Sequence, residues 1–533
     1  MSLYFEAATV LSGPSNAGSL KSRIYTGQWK SPPAQIYALV VEAAKYDGFI
    51  KQVVDAAGLL SHEPKLTPLL SLLLVHDFLL SKRGIAAPSS HPLRLAVERH
   101  KTRLNAEFTK LRVRRGCASK EELKRSLLQD QRTSQAFSPR WIRINNALTT
   151  LAQELETTFS TYSPVDSLAE LAADSDSDSD RKRYYLDEHI PDLLAIGPDS
   201  DIISTPSYKE GRLILQDKAS CFPAYLLLGD NPEQWSGDII DGCAAPGNKT
   251  THLASLLSSR RKSDGQQKNR IFSLDASHSR SKILQEMVKK AGVKDRVTVL
   301  PGQDFLALDP KDRRFQQVTA LLLDPSCSGS GITKRENIPQ LALPKSKSEL
   351  ASTNASSRPK NKKRKRGDET GPTAAPAPAS SSDNTADSAR LTKLANLQSQ
   401  IIEHAFRFPA ATRVTYSTCS IHRQENEGVV AHVLASSIAR RRGWRVEARA
   451  DQASGLHKWH HRGVAPTSDT PGDEETLSPE DTEACVRCWP EDEDGTGGFF
   501  VAAFVRDADA GEDEEDEGEE EYDEEVWEGC SSS

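Results

Sequence analysis

The stretch Leu321-Leu-Leu-Asp324-Pro325-Ser326-Cys327-Ser328-Gly329-Ser330-Gly331 constrains this chain more than any other. Leucines in series, bounded by turn residues, read as a strand buried on both faces, the kind found inside a parallel sheet. Pro325 forbids further ladder pairing, so the strand ends at Asp324. The small residues beyond it let backbone approach a ligand closely. In an open α/β sheet, chemistry gathers outside the carboxyl ends of strands. Asp324 and Cys327 therefore stand where a reacting group belongs. A second ending of the same kind lies downstream at Arg413-Val-Thr-Tyr-Ser-Thr-Cys419-Ser420.

The rest of the carboxyl-terminal half alternates strand and helix patterns, as a parallel sheet requires. Asp238-Ile-Ile ends at Asp241 and opens into Gly-Cys243-Ala-Ala-Pro246-Gly247-Asn248-Lys249, with a helical run after it. Arg270 to Leu274 is a strand ending at Asp275, and Arg296 to Leu300 is a third, with Asp304 at its end. The strands ending at Asp324 and Cys419 are the fourth and fifth. Trp444-Arg-Val-Glu and Phe499 to Val505 complete the sheet.

The amino-terminal part differs. Ile36 to Ala44, Leu66 to Leu80 and Leu93 to His100 carry apolar residues at helical spacing. Pro139-Arg-Trp-Ile-Arg-Ile-Asn145 alternates like a strand. Asp174 to Asp180 is a charged low-complexity loop, and residues 340–390 read as a disordered insert. The insert holds Lys360-Asn-Lys-Lys-Arg-Lys-Arg366, a cluster of the nuclear-import kind or a solubilising loop. Net charge is −7, but residues 507–533 hold 15 acidic and no basic side chains, leaving 68 basic against 60 acidic elsewhere. A basic body with an acidic tail suits a nucleic-acid partner. No apolar stretch is long enough for a membrane span, and the amino terminus has no signal-peptide pattern.

An isolated Asp after a strand is an ordinary turn former, and a cysteine there is an ordinary small hydrophobe. Acidic residues at consecutive strand ends, joined by two strand-end cysteines, point instead to a polar ligand and thiolate chemistry. The loop from Asp241 can hold a ligand on its amides and helix start. Its glycine spacing fits neither a Walker loop nor a dinucleotide fingerprint, which weighs against a Rossmann oxidoreductase. Asp275 lies where nucleotide folds hold a ribose. The only C-x-x-C pair, Cys485 and Cys488, has no second pair at zinc-site spacing, so no metal is expected.

Asp241-Gly-Cys-Ala-Ala-Pro-Gly-Asn-Lys-Thr, Asp324-Pro-Ser-Cys-Ser-Gly-Ser-Gly and Tyr416-Ser-Thr-Cys-Ser resemble the motifs of the Sun/Fmu family of RNA cytosine-carbon-5 methyltransferases. The similarity runs from about residue 135 to 505, less the insert. Asn248 and the helical amino-terminal region are similar to the fifth eukaryotic member, which modifies large-subunit ribosomal RNA.

This resemblance implies an α/β, Rossmann-like S-adenosylmethionine-dependent methyltransferase sheet behind a mostly helical amino-terminal domain. It divides the chain into a helical region at 1–134, an RNA-binding-type α+β subdomain at 135–212 and a catalytic domain at 213–506, with the acidic tail from 507. It implies Cys419 as nucleophile toward cytosine carbon 6, Asp324 at the base edge, and Cys327 in release. It implies S-adenosylmethionine held by Cys243, Ala244, Ala245, Pro246, Gly247, Asn248 and Lys249, with Asp275 on the ribose, Asp304 on the adenine and Arg280 and Asp324 adjoining. The expected partner is RNA, ribosomal before transfer RNA, in pre-ribosomal particles of the nucleus or nucleolus. An RNA-binding assembly scaffold on the same fold is the competing reading.

Overall fold

The computed structural model describes residues 2–13, 20–134, 137–173, 182–198, 200–258, 269–332, 339, 341–345, 381–466, 476–490 and 492–507. The basic cluster at 360–366, the acidic loop at 174–180 and all of the tail but Asp507 lie outside them.

The amino-terminal part is helical, with one apolar core running from Tyr4 to Leu127. Its centre is the helix Pro68–Leu80, capped by the Thr67 hydroxyl accepting from the Leu70 amide. That helix is apolar nearly all round and is accordingly buried on nearly every side. One polar link crosses the core: the Tyr4 hydroxyl donates to Asp77 over 2.5 Å. The segment 341–345 leans on this domain, where the Ala342 and Lys345 amides donate to Asp47 and Asp55. The stretch expected to be an unstructured insert over 340–390 thus joins the fold at its near end. At its far end the helix Ser381–Phe406 begins inside it.

A five-stranded sheet follows, in the order β2-β3-β4-β1-β5. Its strands are β1 (Arg140–Ile144), β2 (Ser163–Val165), β3 (Arg183–Leu186), β4 (Leu193–Ile196) and β5 (Leu213–Leu215). The alternating stretch from Pro139 forms its interior strand β1, paired antiparallel with β4 and β5.

The large sheet contains β6 (Asp238–Asp241), β7 (Ile271–Asp275), β8 (Val297–Pro301), β9 (Val318–Leu323), β10 (Arg413–Thr418), β11 (Arg445–Val446), β12 (Val486–Cys488) and β13 (Phe499–Val505). Its order is β11-β13-β10-β9-β6-β7-β8, with β12 added on β13. The pairs from β10 through to β8 are parallel, and β13 runs antiparallel to β10. The chain builds outward from β6 through β7 to β8, then returns to the other side of β6 with β9 and β10. The strand order reverses between β6 and β9, and such a reversal opens a crevice at the strand ends. The fold is therefore the expected Rossmann-like α/β sheet behind a helical region. Separate apolar clusters pack on its two faces. Among the described residues no helix is long and apolar enough to cross a membrane.

The small sheet is fastened to the large one by two buried cations. Arg143 on β1 donates to Gln216 and to Thr251 in the helix after β6. Lys218 pairs with Asp187 at 2.6 Å, under the rings of Trp141 and Trp459. A lone buried charge would be costly: Lys218 has a carboxylate partner, whereas Arg143 has two neutral acceptors and leaves its Nη1 without one, and burial lowers its pKa to about 10.

Candidate active site

The crevice between β6 and β9 gathers most of the singled-out residues. Asp324 stands immediately beyond β9. Its Oδ2 accepts from Lys249 Nζ at 2.7 Å, and its Oδ1 accepts from the Ser417 hydroxyl at 2.8 Å. Lys249 lies in the first turn of the helix Asn248–Leu256, and its ammonium also sits 5.5 Å from the centre of the Phe499 ring. The sequence reading placed Lys249 in the ligand loop; the fold turns its charge toward Asp324. Ser417 escaped the sequence reading, although strand alternation puts it on the face of β10 that Cys419 continues.

The sulfurs of Cys327 and Cys419 are 3.0 Å apart, and both thiols are free. Backbone contacts hold this approach. The Gly331 amide donates to the Cys419 carbonyl at 3.0 Å, and the Gly498 amide donates to the Gly331 carbonyl at 2.7 Å. A Cβ on Gly331 would lie 2.1 Å from the Gly498 oxygen, so a side chain there would push the Cys327 loop off the segment that enters β13. Beneath the loop, Glu425 Oε1 accepts from the Ser328 amide and from Gln398, whose Nε2 also reaches the Ser326 carbonyl. The Tyr416 hydroxyl donates to the Glu425 carbonyl at 2.5 Å. Gln398 and Glu425 carry no local sequence signal, because they reach the loop only through the fold.

The two thiols differ electrostatically. The hydrogen bond from Cys327 lowers the Cys419 pKa; burial and Asp324 oppose this, and Lys249 assists it. The same hydrogen bond, together with burial, pushes the Cys327 thiol far up. The contact therefore favours Cys327 as the S–H donor and Cys419 as the acceptor, the direction in which Cys419 ionises more readily than Cys327. Burial works against the Lys249 charge, but Asp324, Asp241 and Cys419 outweigh it and raise its pKa.

On the β6 side, the loop Cys243–Gly247 is held by the Ala244 amide on the Leu274 carbonyl and the Gly247 amide on the Ala244 carbonyl, both 2.8 Å. Gly247 has φ +107°, a conformation that favours glycine. Arg280 braces the loop, donating to the Ala245 carbonyl at 2.8 Å while lying 3.3 Å from Asp275 at the end of β7. Its guanidinium thus belongs to the wall of the crevice. Asp304 is not at the end of β8, which stops at Pro301; it lies further on and caps a helical turn by accepting from the Leu306 amide. Among the described residues no hydrogen bond or ion pair joins Asp304 to the loop or to Asp275.

The crevice suits a cationic ligand with many acceptor needs. Asp241 is fully buried, takes one hydrogen bond from Thr250, and leaves Oδ1 without a partner. Burial pushes its carboxyl up to about 7. Asn248 Oδ1 is likewise buried and unpartnered. Two buried oxygens without partners thus flank the small-residue loop, with Asp275 at the next strand end, and such acceptors suit a polar or cationic ligand. Cys243 in the same loop is pushed up by burial and is a neutral thiol. Cys485 and Cys488 belong to apolar clusters on opposite faces of the sheet and are not placed to share an ion.

Residues 34–123 match the family model "NOL1/NOP2/Sun domain family member 5, N-terminal domain", and residues 138–216 match the same family's ferredoxin-like domain. Residues 225–356 match the model "16S rRNA methyltransferase RsmB/F". The chain is 37% identical over 503 residues to the 25S rRNA (cytosine-C(5))-methyltransferase rcm1 of Schizosaccharomyces pombe, covering 94% of this chain and 91% of that one. It is 35% identical over 512 residues to a 28S rRNA (cytosine-C(5))-methyltransferase of Mus musculus, covering 95% and 91%. A crystal structure of a methyltransferase homologue from Pyrococcus horikoshii is 16% identical with TM-score 0.44, covering 84% of this chain and 99% of that one, and is too distant to bear on the site.

Proposed function

This chain belongs to the NOL1/NOP2/Sun domain family, in the branch of member 5, and from that membership we propose how its crevice works. It is an S-adenosylmethionine-dependent enzyme that forms 5-methylcytosine in large-subunit ribosomal RNA. The observation that carries the mechanism is the 3.0 Å approach of Cys327 and Cys419 beside the Lys249–Asp324 pair.

Carbon 5 of cytosine is a weak nucleophile. The Cys419 thiolate adds to carbon 6, and the electron pair of the ring double bond becomes available at carbon 5. Asp324, held by Lys249 and Ser417, meets the base edge near ring nitrogen 3 and stabilises the adduct. S-adenosylmethionine would supply the electrophilic methyl group; Cys243 to Asn248 and Asp275 would hold it, with Arg280 bracing their loop and Asp304 beyond them toward the adenine. Once its sulfur is bonded to carbon, Cys419 no longer accepts the Cys327 proton. The interaction that held that proton is then gone; Cys327 loses it to solvent water and, as the thiolate, takes the proton from carbon 5. The double bond re-forms and Cys419 leaves as thiolate. A base inside a duplex cannot reach this crevice, so the target cytosine is unstacked.

A ribosomal substrate places the enzyme in the nucleus, at the nucleolus, acting on pre-ribosomal particles. The basic cluster at 360–366 would supply import; replacing its lysines and arginines by alanine should move a tagged protein to the cytoplasm. Bisulfite sequencing of ribosomal and transfer RNA from cells with and without the protein tests the function. Loss of one large-subunit cytosine methylation is expected. Loss confined to transfer RNA, or no loss, overturns the reading.

A further inference from the structure

We propose that His460, His461, Asp492 and Asp494 form a binding site for one divalent metal ion of the zinc class. The four side chains come from two separated segments, the extended Trp459-His460-His461 stretch outside any strand and the turn between β12 and β13, and one ligand atom from each lies within 4.8 Å of all the others. His460 Nε2 and His461 Nε2 stand 3.3 and 3.4 Å from Asp494 Oδ2, and His461 Nε2 also contacts Asp492 Oδ2. A tetrahedral ion with ligands about 2.0–2.2 Å away has ligand–ligand edges of about 3.3–3.6 Å. The two contacts to Asp494 already have that spacing, and an ion would draw His461 and Asp492 apart to reach it.

The donor set fits the charge as well. Two carboxylates and two neutral imidazoles balance a divalent cation, and mixed nitrogen and oxygen donors suit zinc. Without an ion, the buried atoms His461 Nε2 and Asp494 Oδ2 meet their neighbours in ion-pair contacts only, with no aligned hydrogen bond. Lys218, the cation whose charge reaches Asp494, is taken up by Asp187. His460 is 58% exposed and leaves an entry path, while the other side chains are largely covered.

An ion here would clip the β12–β13 turn to the stretch after Trp459. That turn touches both neighbours of the crevice. Its Gly495 carbonyl accepts from Trp141 on β1, and its far end carries Gly498 and Phe499 against the cysteine loop and Lys249. The site is distinct from the cysteine pair and from the C-x-x-C pair, so it is built of residues that the cysteine spacing could not reveal.

The test uses the full-length protein without a histidine tag, stripped with chelator and titrated with zinc. Uptake of about one zinc per chain is expected, with a rise in the melting temperature. His460→Ala, an exposed position where folding is not at risk, should bind roughly tenfold or more weakly, since even the loss of an outer-shell partner costs about that much. Its melting temperature should not respond to zinc. Replacing zinc with cobalt(II) should give the visible bands of a tetrahedral nitrogen–oxygen site without thiolate charge transfer. Equal zinc affinity in wild type and His460→Ala overturns the proposal. So does a thiolate charge-transfer band, which would place the ion on cysteines, and so does the absence of zinc uptake, which would leave the four residues as plain ion pairs.

Discussion

Lys249 reaches across the strand-order reversal to Asp324, its ammonium 2.7 Å from the carboxylate, while Ser417 holds the other oxygen. The pair joins the first turn after β6 to the end of β9. It fixes the carboxylate proposed to meet the base and sets a positive charge that lowers the Cys419 pKa.

Lys249→Met should therefore reduce methyl transfer by roughly tenfold to a hundredfold, the worth of a charge-assisted hydrogen bond of about 1.5–3 kcal/mol. The pH dependence gives the sign. Lys249 lowers the Cys419 pKa, so its loss raises it. The thiolate fraction then grows only at higher pH, and the rising limb of the rate profile should move upward. A profile that stays in place while the rate falls would leave Lys249 with a role on Asp324 alone.

Much of this was legible in the chain. The leucines before Asp324, the strand-end cysteines and the loop from Asp241 follow from periodicity and turn chemistry, and the structure brings them to one crevice. What could not be read is carried by side-chain direction and by distant partners. Lys249 lies in the expected loop, yet the start of its helix aims it at β9. Asp304 follows the expected strand, but β8 stops at Pro301 and the aspartate caps a turn. Glu425 and Gln398 come from a turn and a helix with no motif, and only the fold sets them under Ser326 and Ser328.

The hairpin side of the crevice depends on a buried ion pair. Arg487 on β12 donates to both oxygens of Glu427 at 2.7 and 2.6 Å, and both side chains are 1% exposed. Glu427→Ala leaves the guanidinium buried without its carboxylate. Breaking such a pair costs about 3–5 kcal/mol. Denaturant unfolding should show that loss, and a loss under about 1 kcal/mol would mean that water or backbone carbonyls take over the arginine.

Asp275→Ala tests the cofactor side. It removes the acceptor proposed for the ribose and the partner of Arg280, which also braces the Ala245 carbonyl. Cofactor affinity should fall by roughly tenfold to a hundredfold, again the scale of about 1.5–3 kcal/mol. Calorimetric titration of a folded variant with unchanged affinity would remove Asp275 from the site.

The two cysteines should separate most sharply. They lie 3.0 Å apart, so a packing defect from removing either sulfur should be similar. Their electrostatics are not similar, because their mutual hydrogen bond lowers the pKa of Cys419 and raises that of Cys327. Cys419→Ala removes the attacking sulfur, and no adduct or product should form. Cys327→Ala leaves the attack possible, although the thiolate loses its hydrogen-bond donor and forms more slowly. It also removes the base that lets the product go. With labelled target RNA and S-adenosylmethionine, a denaturing gel should show a slow-migrating protein–RNA band for Cys327→Ala and none for Cys419→Ala. A band for Cys419→Ala instead would reverse the two roles. No band for either variant, with an active wild type, would mean that release does not depend on Cys327, and the proton on carbon 5 would have to leave by another base.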